Sequence, residues 1–297
     1  MFGHPLPESP WGTLLAVYFI LIGISSGITL QLWWTRPRDS KAADSFEWYG
    51  GLVAAVALGI ASIILIIDLG QPQRFFLMLT SFSNLGSPMA VGAKLLALKS
   101  GLLALYLFLL FKRRQAHAAG DSTSPVGATA TLYRVVPVLL GISSFGLAVY
   151  PATLLSRTWI SPMAMSPAAS VIFLCTAMAA GAAIAVILAH VVPGLADQHF
   201  RARIVGTLVF LVAIQGLLFI FEGLALHGNV PALSSSLNEM ISGRWSRTFW
   251  GLVVVAGLVV PLVTLVGFSR HRIAVIVGAT GVLIGTGAAR YLFFIVH

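Results

Sequence analysis

The sequence predicts an all-α, polytopic membrane protein: a bundle of eight transmembrane helices forming one integral membrane domain over residues 1–297. Three observations predict it. Apolar residues make up 58% of the 297-residue chain, charged residues only 9%, and mean hydropathy is +0.94; a soluble domain carries about 25% charged residues. Eight apolar runs reach the roughly 20 residues that a helix needs to cross the hydrocarbon layer. No series of short alternating strands is visible, and backbone groups in lipid must be satisfied within the segment, so the runs are read as helices and not as a barrel.

The first run, Trp11–Trp34, follows ten residues without Lys or Arg. It is longer than the roughly 7–15 apolar residues of a cleavable signal, so it is read as the first spanning helix. The others are Trp48–Asp68, Met89–Phe111, Val135–Leu155, Ala168–His190, Ile204–Leu226, Phe249–Phe268 and Ile273–Val296. Pro151 and Pro261 remove backbone donors and are expected to kink the fourth and seventh. Gly23 to Gly27, Gly181 to Ala183, and Gly281, Gly285 and Gly287 mark close helix–helix approach. The tryptophans cluster at helix ends, as interfacial anchors do. The Ala/Gly/Ser/Thr-rich stretch from Lys112 to Thr131 is read as a flexible loop, and the connections Leu69–Pro88 and His227–Thr248 as ordered surface.

Charge sets orientation. Arg74, Arg157, Arg244 and Arg247 fall on the side of the N-terminus. Arg36, Arg38, Lys41, Lys112, Arg113, Arg114, Arg201, Arg203, Arg270 and Arg272, with Arg134 beside them, fall on the other. Cytoplasmic loops carry the basic excess. Both termini are therefore expected outside the cytoplasm, in the periplasm of a bacterium, with the protein in the inner membrane. The net charge of +9 is no nucleic-acid footprint, because its basic residues are scattered over helix ends.

Ionisable residues inside spanning helices are costly and mark functional candidates. Asp68 ends the second helix. Lys94, Tyr150, Glu222 and Arg290 lie about five or six residues inside their helices from the same end, roughly 6–10 Å below the interface. Charges of both signs at one depth can pair and can ring a cavity with proton donors and acceptors. Taken singly, each also fits a snorkelling or structurally paired side chain near a helix end. Lys99 lies deeper and is read as structural, and Gln215 lies two turns below Glu222. No metal site is expected: Cys175 is the only cysteine, and no acid–histidine cluster has ligand spacing. Bis-histidine haem needs two histidines facing each other at one depth. His190 and His227 fall at opposite ends of their helices, and the remaining histidines lie outside the apolar runs or at the last residue.

The order of motifs resembles the NrfD/PsrC family, the membrane subunits of polysulfide-reductase-like complexes. The matching pieces begin with Trp11-Gly12 and Asp68-Leu69-Gly70-Gln71-Pro72-Gln73-Arg74-Phe75. Ser87-Pro88-Met89 with Gly92, Tyr150 with Leu154-Leu155, and Gly243 through Phe249-Trp250 follow. Gly257, Pro261 and Arg290-Tyr291 complete them, so the resemblance covers nearly the whole sequence. It implies eight helices and no haem, metal or iron–sulfur cluster in this protein. It implies electron exchange between a membrane quinone pool and a docked four-cluster iron–sulfur subunit, with a molybdenum or tungsten bis(pyranopterin) enzyme beyond. The family's quinone-contacting tyrosine on the fourth helix maps onto Tyr150. Polysulfide-reductase-type members also use Asn and His on the first helix; this sequence offers Tyr18, Ser25, Ser26 and Gln31 there, so the second hydrogen-bond partner stays unassigned. Tyr150, Tyr18 and Lys94 are the candidate headgroup contacts. Tyr150, Glu222, Asp68, Lys94 and Arg290 are the candidate proton relay, and Arg74, Arg244 and Arg247 the candidate docking face. The competing readings are a secondary transporter or proton pathway using the same polar residues, and a membrane anchor that only assembles a complex.

Overall fold

A computed structural model describes residues 13–35, 40–68, 87–119, 128–158, 162–166, 168–192, 195, 198–226 and 231–296. Trp11-Gly12 and residues 69–75 of the motif after the second helix, Arg74 included, lie outside the described residues, as do His227 and His297. Among the described residues there is no strand. Eight helices are long and apolar enough to cross a membrane.

These are α1 (Thr13–Trp34), α2 (Ser40–Asp68), α3 (Pro88–Ala118), α4 (Ala128–Thr158), α5 (Ala169–Val191), α6 (Gln198–Leu226), α8 (Ser246–Gly267) and α9 (Arg272–Ile295). A short helix, α7 (Pro231–Ile241), lies between α6 and α8. Several helices outrun their apolar cores. Residues 112–118 and 128–131, expected to be loop, are helical ends of α3 and α4. Lys, Arg, Gln and Ala are all good helix formers, so the helix continues past the hydrocarbon once its first turns are fixed. α7 was hidden for a different reason: at 11 residues it is too short to register as a span. It starts on Pro231, a residue suited to a first helical position, and buries Ser236, Leu237 and Met240.

The spans alternate in direction, so the start of α1 and the end of α9 fall at one end of the bundle, here the terminal end. α1 packs against α2, α4, α5 and α9 and is the hub. Two-thirds of the apolar windows of α1 and α5 are buried inside the bundle, against 22% for α8, which faces outward. α1 and α5 meet at Gly27 and Gly181, where a Cβ on either would collide with the other helix's backbone. Glycine here is a spacing device: it lets two backbones touch where lipid offers no hydrophobic gain for association. Gly257 and Gly285 do the same between α8 and α9.

α8 takes the wide i→i+5 hydrogen-bond pattern over Phe249–Val259 and Val263–Gly267. Pro261 sits between the two stretches and has no N–H to give. The carbonyl five residues before it, Ala256 O, lies against Gly281 of α9, where a Cβ would displace it. α4 runs on through Pro137 and Pro151.

The strongest polar tie in the bundle is Arg290 of α9, which is 4% exposed. It donates from Nη1 to Phe19 O of α1 (2.8 Å), from Nη2 to Phe173 O of α5 (2.5 Å) and from Nε to Thr176 Oγ1 (3.1 Å). Its guanidinium stacks over the Phe173 ring at 5.2 Å and fills the space left by Gly23. One side chain thereby joins three helices.

Two substitutions separate spacing from propensity. Gly181→Ala costs about 1–3 kcal/mol by overpacking the α1–α5 crossing, whereas Gly59→Ala, whose methyl meets nothing within 4 Å, leaves stability unchanged or raises it by about 0.5–1 kcal/mol. Arg290→Met costs about 1–3 kcal/mol through lost charge-assisted hydrogen bonds. Thermal unfolding of the detergent-solubilised protein measures all three.

Candidate functional site

Two groups of polar side chains lie near the terminal end of the bundle, with α9 between them. The first is a pair of phenols. Tyr18 lies on α1 five residues after Thr13, and Tyr150 on α4 eight residues before Thr158. They are 2% and 8% exposed, and they stand close enough to interact electrostatically. Tyr150 lies against the start of α3: its ring and hydroxyl occupy the space where Gly92 would carry a Cβ. That contact gives the glycine after Ser87-Pro88-Met89 a physical reason. Neither hydroxyl makes a hydrogen bond among the described residues.

The second group centres on Glu222 of α6, which is 2% exposed. Its Oε2 accepts a 2.5 Å hydrogen bond from Ser166 Oγ; among the described residues its Oε1 has no partner. The carboxyl faces a cleft of about 40 Å3, walled by Met163, Leu237 and Met240 on one side and by Ala289 and Phe293 of α9 on the other. That volume holds a water molecule or two. Two turns deeper on α6, Gln215 is buried and both polar atoms of its amide lack partners among the described residues.

The expected pairing of opposite charges at one depth does not occur between these two groups. Among the described residues Arg290 and Glu222 form no ion pair. Arg290 and the cleft-lining Ala289 and Phe293 lie on different faces of α9, so the guanidinium turns to the α1 and α5 carbonyls while Glu222 takes a serine. Lys94 is half-buried on α3, two residues from Gly92, and Asp68 is half-buried at the end of α2. Arg244 and Arg247 are exposed at the terminal end beside α7. Arg244 stacks over Trp245 at 5.6 Å, and that indole packs on Tyr291 of α9.

Lys99 is more prominent than its sequence position indicated. It is 0% exposed, and its Nζ donates to Ser26 Oγ of α1 (3.0 Å). One turn further along α1, Thr29 Oγ1 and Ser144 Oγ of α4 are 2.7 Å apart. Thr29 then lines a cavity of about 240 Å3 with Glu47, Tyr106, Arg113 and Tyr133, at the end opposite the termini. Arg113 pairs there with Asp44 and with Glu47 (2.7 Å). Small hydroxyl residues along α1 and a lysine eleven residues after Pro88 were the available signals. They are equally common in plain helix packing, so sequence could not rank them. Among the described residues no group of three or more His, Cys, Asp or Glu side chains is arranged to hold a metal ion.

Residues 4–296 match the family described as Polysulphide reductase, NrfD. The protein is 25% identical over 293 residues to the C subunit of polysulfide reductase from Wolinella succinogenes, covering 95% of this sequence and 92% of that one. It is 27% identical over 304 residues to protein NrfD of Escherichia coli, covering 97% and 94%. It is 25% identical over 271 residues to the NrfD homolog of Haemophilus influenzae, covering 86% and 83%. A match of this extent, on eight spanning helices in the expected order, shows that the protein is a multi-pass membrane protein belonging to the NrfD family.

Proposed function

We propose that this protein is the haem-free, quinone-reactive membrane subunit of a respiratory oxidoreductase complex. It passes electrons between the quinone pool and an iron–sulfur subunit docked on its terminal end, and it anchors the complex. The observation that carries the reading is the Tyr18–Tyr150 pair. A quinone headgroup presents carbonyl oxygens, which only accept hydrogen bonds, and two neighbouring phenol O–H groups without internal partners are the complementary donors. Tyr18 supplies on α1 the second contact that the family pattern assigns to Asn and His.

Quinone reduction consumes two electrons and two protons, and oxidation of the quinol releases them. The phenols hold the headgroup and donate hydrogen bonds that strengthen as negative charge develops on its oxygens. Proton delivery falls to groups that can titrate. Glu222, with one free carboxylate oxygen facing a water-sized cleft, is the nearest candidate for exchange with the terminal surface, and Lys94 and Asp68 flank the other side of the bundle. Arg290 positions: by tying α1, α5 and α9 it fixes Phe19, and so Tyr18, in place. Arg244 and Arg247 offer a basic face for a partner subunit, where rim charges set orientation and association rate; the sequence reading assigns Arg74 to the same side. The names of the relatives, a polysulfide reductase subunit and NrfD proteins, support a place beside a reductase subunit such as a molybdenum or tungsten bis(pyranopterin) enzyme with a four-cluster iron–sulfur protein between. The positive-inside count supports termini in the periplasm and the protein in the inner membrane.

Loss of one hydrogen bond worth about 1.4 kcal/mol is a tenfold effect. Tyr150→Phe and Tyr18→Phe should each lower quinone-coupled turnover of the assembled complex about tenfold with thermal stability unchanged, because no internal hydrogen bond is lost. Gly92→Ala should mimic Tyr150→Phe by displacing the ring. Glu222→Gln should slow turnover while leaving assembly intact. Wild-type turnover in both tyrosine variants contradicts the site. Net solute flux through liposomes containing this protein alone would instead favour a transporter.

A further inference from the structure

A large cavity lies at the end opposite the termini, far from the phenols. It measures about 1030 Å3 and opens between α5, α6, α8 and α9. Five side chains with N–H donors line it: His190 at the end of α5, Gln198 and Arg201 at the start of α6, and Arg270 and Arg272 in the α8–α9 turn. Part of its wall is apolar, formed by Val205 and Val209 of α6 with Leu265 of α8. Gly206 lies between the two valines, and a Cβ on it would meet nothing within 4 Å. The wall of the cleft is therefore open beside Gly206, within the single turn of α6 from Val205 to Val209.

Among the described residues no carboxylate faces the charges at the mouth. Among the described residues Arg201, Arg270 and Arg272 have no carboxylate partner, and Arg201 Nε is buried with no acceptor. His190 donates its Nδ1–H to its own helix, 2.8 Å from Val186 O, which turns Nε2 outward, and it stands close enough to Arg201 and Arg272 to interact with both electrostatically. Residues 190–206 and 265–273 contain one acid, Asp197, against four arginines. Like charges gathered around one cavity repel each other unless an anion sits among them. A free anion would satisfy the mouth but leave the apolar trough bare. A molecule with a phosphodiester at one end and hydrocarbon at the other satisfies both, and basic pockets between transmembrane helices are where acidic lipid headgroups bind. The volume suits a headgroup and the first part of an acyl tail.

We propose that this cleft is a binding site for an anionic phospholipid, its phosphate held by Arg201, Arg270 and Arg272 and its acyl tail lying along Val205, Gly206 and Val209. The lipid fills the wedge between α6 and the α8–α9 pair, where the helices themselves do not close, and so joins the outward-facing α8 to the rest of the bundle. This inference does not depend on the quinone reading.

The test uses the full-length protein, delipidated in neutral detergent, with thermal unfolding read out against added phosphatidylglycerol, phosphatidylcholine or inorganic phosphate. Saturating phosphatidylglycerol should raise Tm by about 5 °C, and phosphatidylcholine and phosphate should raise it by less than about 1 °C. The combined variant R201Q/R270Q/R272Q should lose the shift. Gly206→Phe, which fills the trough without touching any charge and has open space for its side chain, should also lose it. An equal shift with phosphatidylcholine overturns the charge recognition. An equal shift with inorganic phosphate overturns the lipid and leaves a free-anion site. A full shift in either variant overturns the location. If the triple variant does not fold, the lipid comparison on the unaltered protein and Gly206→Phe still decide the question.

Discussion

In a bundle surrounded by hydrocarbon, a polar group has to find its partner inside the protein. That constraint organises this molecule. α1 and α5 touch backbone to backbone because Gly27 and Gly181 allow it. That closeness brings the Phe19 and Phe173 carbonyls within reach of one arginine. Arg290 is tolerated at 4% exposure because three acceptors and a ring face surround it. Ser25 gives its hydroxyl to Ala54 O, Lys99 Nζ donates to Ser26 Oγ, and Thr29 and Ser144 share a hydrogen bond. Against that background the buried atoms without a partner among the described residues stand out: one oxygen of Glu222 and the amide of Gln215, with single nitrogens of Arg113, Arg114 and Arg201; the two phenols add hydroxyls that no hydrogen bond among the described residues engages.

These leftovers are distributed in a way that suits redox chemistry at one surface. The phenols are donors and sit among α1, α3 and α4. The Glu222 carboxyl accepts from Ser166 and sits on the far side of α9 beside α7. A headgroup held by the first has no direct contact with the second, so protons would travel between them by way of water or the surface. The buried Lys99–Ser26 pair lies on the other side of the phenols, roughly 10 Å deeper along α1 and α3. It places a second titratable group between the phenols and the opposite end.

Much of the fold was legible because the membrane constraint is written directly into composition. Runs such as Ala168–His190 and Ile273–Val296 differ from the observed α5 and α9 by a residue or so at each end. Where boundaries moved, as at Ser40, Ala118 and Gln198, a helix continued into water, and hydropathy has no signal for that. α7 and the i→i+5 pattern of α8 depend on packing against Met163, Tyr291 and Gly281, contacts remote in sequence. At the site, depth was readable and direction was not. Counting residues put Tyr150, Glu222 and Arg290 at one level. Whether two side chains at one level face each other depends on helix rotation, and a turn of about 100° per residue sends neighbours on α9 to different partners. Tyr18 carried no mark of its own in an apolar run; the missing Asn and His of the family pattern were the only cue to look along α1. The arginine cluster at the opposite end was visible, but only as an orientation signal. The cavity that makes it a site comes from how α6 and α8 diverge.

The most direct measurement is the position of a quinone bound to the protein in its complex, determined by electron cryomicroscopy. The headgroup is expected at the terminal end, with a carbonyl oxygen within about 3.2 Å of the Tyr18 or Tyr150 hydroxyl. A headgroup bound elsewhere, with both phenols facing only protein or lipid, would contradict the quinone site.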